Sequence, residues 1–394
     1  MKKVSRFVNS DILFDVLSRI PVKALLGLKC ICRVWHRIIS SRSFIKAQME
    51  NTEHVLTGFI YQEKFEFCNE DIEIVSYIPV ETRGAKVGHM VFNFLPEDVV
   101  ILASCNGLVC CGSCFPFQEP TLYICNPSIK EWIKVEWPSH HRIENVALAF
   151  DPSKDSIDIS TKFKLVRVKQ DENRDERLYL TFELYSSETG AWRKSNEICQ
   201  CNNNLIKNKG IYIEGVLHWL TDGDQVLTFD VEKELSWLIS VPIPTLEFRT
   251  IPEACIGESE GKLHYVLVSE EGLHVWYLED YYEFKWTLKH YKSLEEIEGE
   301  YPRFFLNLKN RVSQRVSVDT NSWMNPLGFK DGVLLMKVRA HIYMYDINNN
   351  NNKMTQACSI EDLNSKCTWC PTILPHSLSL IPLNHGDKVP FTPY

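Results

Sequence analysis

The sequence has no run of the roughly 18–20 consecutive apolar residues that a membrane-spanning helix needs. Behind the opening charges Lys2, Lys3 and Arg6 there is no apolar stretch of the kind a secretory leader carries. No N-glycosylation acceptor occurs, because Asn126-Pro127-Ser128 is blocked by its proline. A phosphate-cradling glycine loop is also missing. Beyond residue 50, positive charge is scarce. Residues 1–50 hold 10 Lys and Arg against 3 Asp and Glu, and the rest holds 33 against 48, so the net −8 conceals an acidic body. Such a body argues against nucleic acid as a ligand, since phosphate binding needs a basic footprint. These absences set an expectation of a chain working in the cytoplasm or nucleus, away from membranes. There, its 14 Cys are read as reduced thiols, most of them small apolar core residues.

What is present is material for large cores. The chain has 394 residues, 44% hydrophobic and 24% charged, with 10 Trp, 20 Phe and 15 Tyr. That composition is globular, and the length suits two or three domains or one repetitive β-architecture.

The texture changes near residue 50. Before it, Ile12, Leu13, Val16, Leu17 and Ile20 recur at helical spacing, with Asn9 or Ser10 as a candidate cap and Pro21 as the stop. A second short helix is expected from Val22 to Leu28. A third carries Cys30, Ile31, Val34, Trp35, Ile38 and Ile39, and a last helical turn follows Ser43 with Phe44 and Ile45. A module this small buries too little of its surface to hide so many aliphatic side chains. The excess must be covered either by a partner or by the rest of the same chain.

The stretch from Asp11 through Ile20-Pro21-Val22-Lys23 and Cys30-Ile31-Cys32-Arg33-Val34-Trp35 to Ile39, closed by Ser43-Phe44-Ile45, resembles the plant F-box. Phe7-Val8 stand where that family usually opens with Leu-Pro. The resemblance implies a Skp-type adaptor as partner and, through it, a cullin scaffold. It also implies roles for the matching positions. Val8, Leu13, Leu17, Ile20, Pro21 and Leu25 would press on the adaptor, while Trp35 and Ile38 would hold the helices together.

From residue 51 to 394 a β-unit repeats. Ser104-Cys105-Asn106-Gly107-Leu108 leads to Asn126-Pro127 and Trp132; Phe163-Lys164-Leu165-Val166 leads to Tyr185 and Trp192. Gly215-Val216-Leu217-His218-Trp219 leads to Phe229-Asp230 and Trp237. Gly261-Lys262-Leu263-His264-Tyr265 leads to Trp276-Tyr277 and Trp286. Gly332-Val333-Leu334-Leu335 leads to Met344-Tyr345-Asp346 and Met354. Successive Trp lie 60, 45 and 49 residues apart, close to the period of propeller blades. Each small sheet has two apolar faces, and stacking sheets around an axis buries both. The Trp are read as packing residues between blades, and the strands that follow the glycines as the inner ones.

With Phe150-Asp151-Pro152, this arrangement is similar to the kelch-like F-box-associated domain. The expected fold is therefore an F-box helical module over residues 1–50, followed over 51–394 by a mainly β, kelch-like propeller of about six irregular blades. The Ser377-Leu378-Ser379-Leu380-Ile381 strand is expected to close the ring against the first blade. Ser293 through Glu300 reads as an acidic connection, and Asp171–Arg177, Asn202–Asn204 and Asn348–Asn352 as polar loops.

Catalytic signals are weak. Gly257-Glu258-Ser259-Glu260-Gly261 fits a nucleophile-elbow pattern, but strand-like residues follow where a helix is needed. Cys367-Thr368-Trp369-Cys370 could be a redox pair or half of a zinc site. Cys110-Cys111, Cys114, Cys199 and Cys201 lack the spacing to complete a site, and Pro371 and Pro375 disfavour the helix a redox pair wants. His218 and His264 occupy equivalent repeat positions and read as structural. No cofactor and no metal are expected. The resemblance implies a non-catalytic substrate-recognition subunit of a Skp–cullin–F-box ubiquitin ligase, with the propeller holding a protein substrate. The alternatives are a binding or inhibitory F-box module without degradation, or a catalytic propeller.

Overall fold

The computed structural model describes residues 10–52, 55–62, 75–80, 86–89, 91–114, 120–138, 145–153, 161–172, 178–205, 210–250, 252–302, 305, 308, 324–348, 354–363 and 371–383. Four helices come first: α1 (Ser10–Ser18), α2 (Val22–Lys29), α3 (Arg33–Ile39) and α4 (Arg42–Asn51). Pro21 has φ −56° and ψ 142°, which breaks α1 and opens α2. Two boundaries differ from the sequence reading. Cys30 and Ile31 lie in the turn before α3, and the single helical turn expected after Ser43 is a ten-residue helix. Ser41 starts that helix by accepting the Phe44 N–H at 3.3 Å, two residues before the Ser43 from which the sequence pattern begins it.

Among the described residues the strands form six antiparallel four-stranded units. The first blade contains β1 (Gly58–Gln62), β2 (Ser76–Pro79) and β3 (Gly88–His89). The second has β4 (Val99–Cys105), β5 (Leu108–Ser113), β6 (Thr121–Asn126) and β7 (Glu131–Glu136). The third has β8 (Val146–Phe150), β9 (Phe163–Glu172), β10 (Leu178–Ser186) and β11 (Ala191–Gln200). The fourth has β12 (Ile211–Ile213), β13 (Val216–Leu220), β14 (Gln225–Asp230) and β15 (Leu235–Ser240). The fifth has β16 (Glu253–Ser259), β17 (Lys262–Ser269), β18 (Gly272–Asp280) and β19 (Lys285–Ser293). Helix α5 (Leu294–Glu300) follows, and the sixth blade has β20 (Asn325–Lys330), β21 (Val333–Val338), β22 (His341–Asp346) and β23 (Met354–Ser359). Last comes β24 (Thr372–His376), which pairs antiparallel with β1 and completes the first blade as β24-β1-β2-β3. Four blades stand as separate sheets. The fifth and sixth share one eight-stranded sheet, joined by a short parallel pairing of β16 with β20.

The innermost strands β24, β4, β8, β12, β16 and β20 touch in that order around a closed ring. Six apolar clusters fill the gaps between successive blades, for example Phe182 stacked on Phe229 at 4.4 Å between the third and fourth. This is the propeller logic: each blade buries both faces against its neighbours.

Two details of the expected propeller change. The strands after the repeated glycines are the second strands β5, β13, β17 and β21, not the innermost. The glycines lie in tight turns joining first to second strands. Asn106-Gly107, Glu214-Gly215, Glu260-Gly261 and Asp331-Gly332 all have positive φ at both positions, as a two-residue hairpin turn requires. The closing strand is also not Ser377–Ile381. Thr372–His376 closes the ring, and its Pro375 is tolerated because an innermost strand has one edge free of ladder partners. Residues 377–383 run on as an extended strap held by side chains. The Asn126 amide donates to the carbonyls of Ser379 at 3.1 Å and Ile381 at 2.8 Å.

The acidic connection is a helix. Ser293 and Glu296 of α5 form a reciprocal capping box, and Leu294 and Ile297 are buried beneath it.

Candidate interaction sites

The helical module presents two kinds of apolar residue. Leu17, Leu25, Ile39, Phe44 and Ile45 are almost wholly buried and belong to one cluster with residues of the second and third blades and with Leu380, Ile381 and Leu383. Phe14 meets Phe44 edge to face at 5.4 Å, and the Asn51 amide donates to the Ser18 hydroxyl at 2.9 Å, locking α4 on α1. The second kind is exposed: Ile12, Val16, Ile31 and Val34 are each more than half in solvent. Part of the apolar excess is therefore covered by the chain itself and part is left open.

This division alters the expected contact set. Leu17 and Leu25 are enclosed and cannot press on a partner in this conformation. Leu13 and Ile20 are half-buried against the same cluster, and Pro21 is exposed. Val8 lies outside the described residues. Trp35 and Ile38 pack partly buried against the core. Ile12 and Val16, one helical turn apart on the open side of α1, stood in the sequence stripe without being separated from Leu13 and Leu17. A shift of one residue, about 100° around the helix, decides which pair faces outward, and apolar spacing alone does not reveal it.

The linker is tied to the propeller. The Leu56 N–H donates to the Asp331 carboxylate at 2.7 Å, and the Thr57 hydroxyl to the His376 carbonyl at 2.9 Å. These contacts place the helices on the face bearing the two-residue glycine turns. On that face, Asn106 donates to the Phe150 carbonyl at 2.7 Å, so one motif joins the second blade to the third.

The catalytic suspects fall apart on inspection. Ser259 is the buried last residue of β16 rather than a turn residue. The turn Glu260-Gly261 leads straight into β17, so the elbow's helix is absent. Cys367 and Cys370 lie outside the described residues. Cys110 and Cys111 are buried, and burial pushes the thiols of Cys105 and Cys114 up to about 12, which leaves them protonated and poor nucleophiles near neutrality. Among the described residues, no group of three or more His, Cys, Asp or Glu is placed to hold a metal ion. His218 is wholly buried on β13, where burial drops its pKa to about 4, and its Nε2 meets the Tyr281 hydroxyl of the next blade at 3.0 Å. His264 occupies the matching place on β17. Both are packing residues of second strands.

Comparison with known proteins agrees with this geometry. An F-box domain model matches residues 9–47, and the model described as F-box protein At3g26010-like, beta-propeller, matches residues 73–307. The chain belongs to the plant F-box proteins with this β-propeller. The matching model names a β-propeller and carries no kelch designation. Two Arabidopsis thaliana relatives are F-box protein At5g49610, 26% identical over 75% of this chain and 81% of its own, and F-box protein At5g07610, 24% identical over 74% and 72%. Among solved structures, apo AztD from Citrobacter koseri aligns with a TM-score of 0.36 at 13% identity, over 77% of this chain and 83% of that one. An F-box joined to a propeller is the arrangement of a substrate-recognition protein, so the names of the matching families point to an adaptor role rather than a catalytic one.

Proposed function

We propose that this F-box protein is the substrate-recognition subunit of a Skp–cullin–F-box ubiquitin ligase in the cytoplasm or nucleus. The helices dock on a Skp-type adaptor, and the propeller holds a protein substrate near the ubiquitin-loaded enzyme. No bond is made by this chain; it raises the effective concentration of one reactant at the other. The observation that carries the reading is the open apolar side of the helical module. Ile12 and Val16 remain exposed although Leu17, Leu25 and Phe44 beside them are buried.

The test uses the full chain co-expressed with a Skp-type adaptor. Ile12→Asp with Val16→Asp changes only exposed positions, so it abolishes co-purification and leaves the thermal midpoint within a few degrees. Leu17→Asp buries a charge and unfolds the module. Undiminished co-purification of the Ile12/Val16 double variant would refute the docking surface.

A further inference from the structure

On the face that carries the glycine turns, a cavity of about 640 Å³ opens between the fourth and fifth blades. Its volume suits a side chain with part of its neighbours. The wall includes Trp237, Tyr281, Tyr282 and Phe284, with the carboxylates of Glu214 and Asp230 and the ammonium of Lys233.

The turn 281–284 is not what the blade requires. Four successive blades make the same four-residue turn between third and fourth strands: 127–130, 187–190, 231–234 and 281–284. Each ends in a left-handed residue: Lys130 at φ 59°, Gly190 at 65°, Glu234 at 54° and Phe284 at 51°. The first three turns read Pro-Ser-Ile-Lys, Ser-Glu-Thr-Gly and Val-Glu-Lys-Glu, with no aromatic residue. The fourth reads Tyr-Tyr-Glu-Phe. A bulky side chain is disfavoured at positive φ, and Gly190 shows what the backbone would accept there. Tyr281 is accounted for by its contact with His218 and its packing on the cluster between the blades. The other two gain little by burial: Tyr282 is 94% exposed and Phe284 45% exposed. Folding does not account for Tyr282 and Phe284.

The charges differ in availability. Asp230 is already engaged: it accepts the N–H groups of Glu232 and Lys233, and Lys233 Nζ lies 3.4 Å from its carboxylate. Burial opposes its charge, yet those donors and the Lys233 ammonium outweigh it and hold its pKa below the usual range. Glu214 is exposed and has no ion-pair partner among the described residues. It reaches over Gly261 of the next blade, where even a Cβ would stand 3.0 Å from its Oε1. One uncompensated carboxylate beside four aromatic rings is the chemistry that recognises a cation. A neutral sugar would use the rings and could donate hydroxyls to the carboxylate, but only a cation would also neutralise its charge.

We infer that this cavity takes a Lys or Arg side chain presented on an exposed segment of a captured protein, with Glu214 as counter-charge and Trp237, Tyr281, Tyr282 and Phe284 as the aromatic wall. The inference rests on the reading that the propeller recruits protein substrates, and it names a recognition element they share.

The test pans the immobilised full chain against a displayed library of random seven-residue peptides and against an array of neutral oligosaccharides. Selected peptides carry Lys or Arg at one fixed position beside an apolar residue. A synthesised selected peptide binds Glu214→Gln about tenfold more weakly and Tyr282→Ala about fivefold more weakly. Both positions are exposed, so the thermal midpoint stays unchanged. Failure to select peptides, selection without a basic position, affinity indifferent to both variants, or Tyr282-dependent oligosaccharide binding would each overturn the inference. Adaptor co-purification is unchanged in Glu214→Gln. If the native chain failed to bind adaptor while selecting basic peptides, the docking proposal would fall and this one would stand.

Discussion

The indole Nε1 of Trp192 donates to the carbonyl oxygen of Glu136 at 2.8 Å, binding the outer strand of the third blade to that of the second. Trp286 repeats the device on the Ser240 carbonyl at 2.9 Å, between the fifth blade and the fourth. The recurring Trp is therefore a stitch as well as a filler. Its ring also meets Trp137 edge to face at 5.5 Å. Trp192→Phe, which keeps a ring and loses the donor, is expected to cost about 1 kcal/mol. Trp192→Ala also loses the packing and is expected to cost about 3 kcal/mol. Urea titration of both variants checks this, and an undiminished stability of Trp192→Phe would show that the hydrogen bond carries nothing.

Two glycines separate backbone strain from crowding. Gly107 and Gly190 both sit at positive φ, 88° and 65°. A Cβ on Gly190 meets nothing within 4 Å, whereas one on Gly107 would lie 2.3 Å from the Ser379 Cβ in the C-terminal strap. Gly190→Ala should cost about 1 kcal/mol, the left-handed penalty alone. Gly107→Ala should cost about 2 kcal/mol more and should raise amide exchange at residues 377–383. Equal costs would mean that the strap yields freely.

The seal of the ring is testable by removal. A chain ended at residue 370 loses β24 and leaves β1 with an open edge, together with an uncovered share of the apolar clusters on either side. Light scattering should find such a chain associated, whereas Ser377→Ala, outside the strand, should behave as the intact protein.

Acid should loosen the propeller through its buried histidines. Burial depresses His218, His264 and His376 to about 4, against 6.5 when unfolded. Between these values the unfolded chain binds more protons, so stability rises with pH through that window. It is complete above about pH 6.5 and is lost as pH falls toward 4, by up to about 3 kcal/mol for each residue. The His218→Gln chain should show a shallower dependence of thermal midpoint on pH between 4 and 6.5. An unchanged slope would exclude His218 as a contributor.

Much of this was readable in the residues. The helical stripe, the Pro21 break, the repeating Gly turn and the spaced Trp all follow from local chemistry. The order of strands within a blade did not. Both β16 and β17 are largely buried, so burial pattern does not say which lies nearer the axis. Ser377-Leu378-Ser379-Leu380-Ile381 alternates well enough to read as the closing strand, while Pro375 argues against the segment that does close the ring. Side-chain hydrogen bonds from Asn126, 253 residues away, fix the strap instead, and no local pattern reports them. The cavity at Glu214 was hidden because its walls come from two blades, and only the odd Tyr-Tyr-Glu-Phe turn marked it.

The pairing of β24 with β1 also sets an order of events during synthesis. Some 310 residues must leave the ribosome after β1 before its partner exists. Through that interval the finished helices precede an unsealed ring whose first edge is bare, the condition in which chaperones find their clients. A nascent chain stalled before residue 372 would therefore be a companion-dependent species, and full-length release, rather than completion of the F-box, would mark the moment this protein becomes competent.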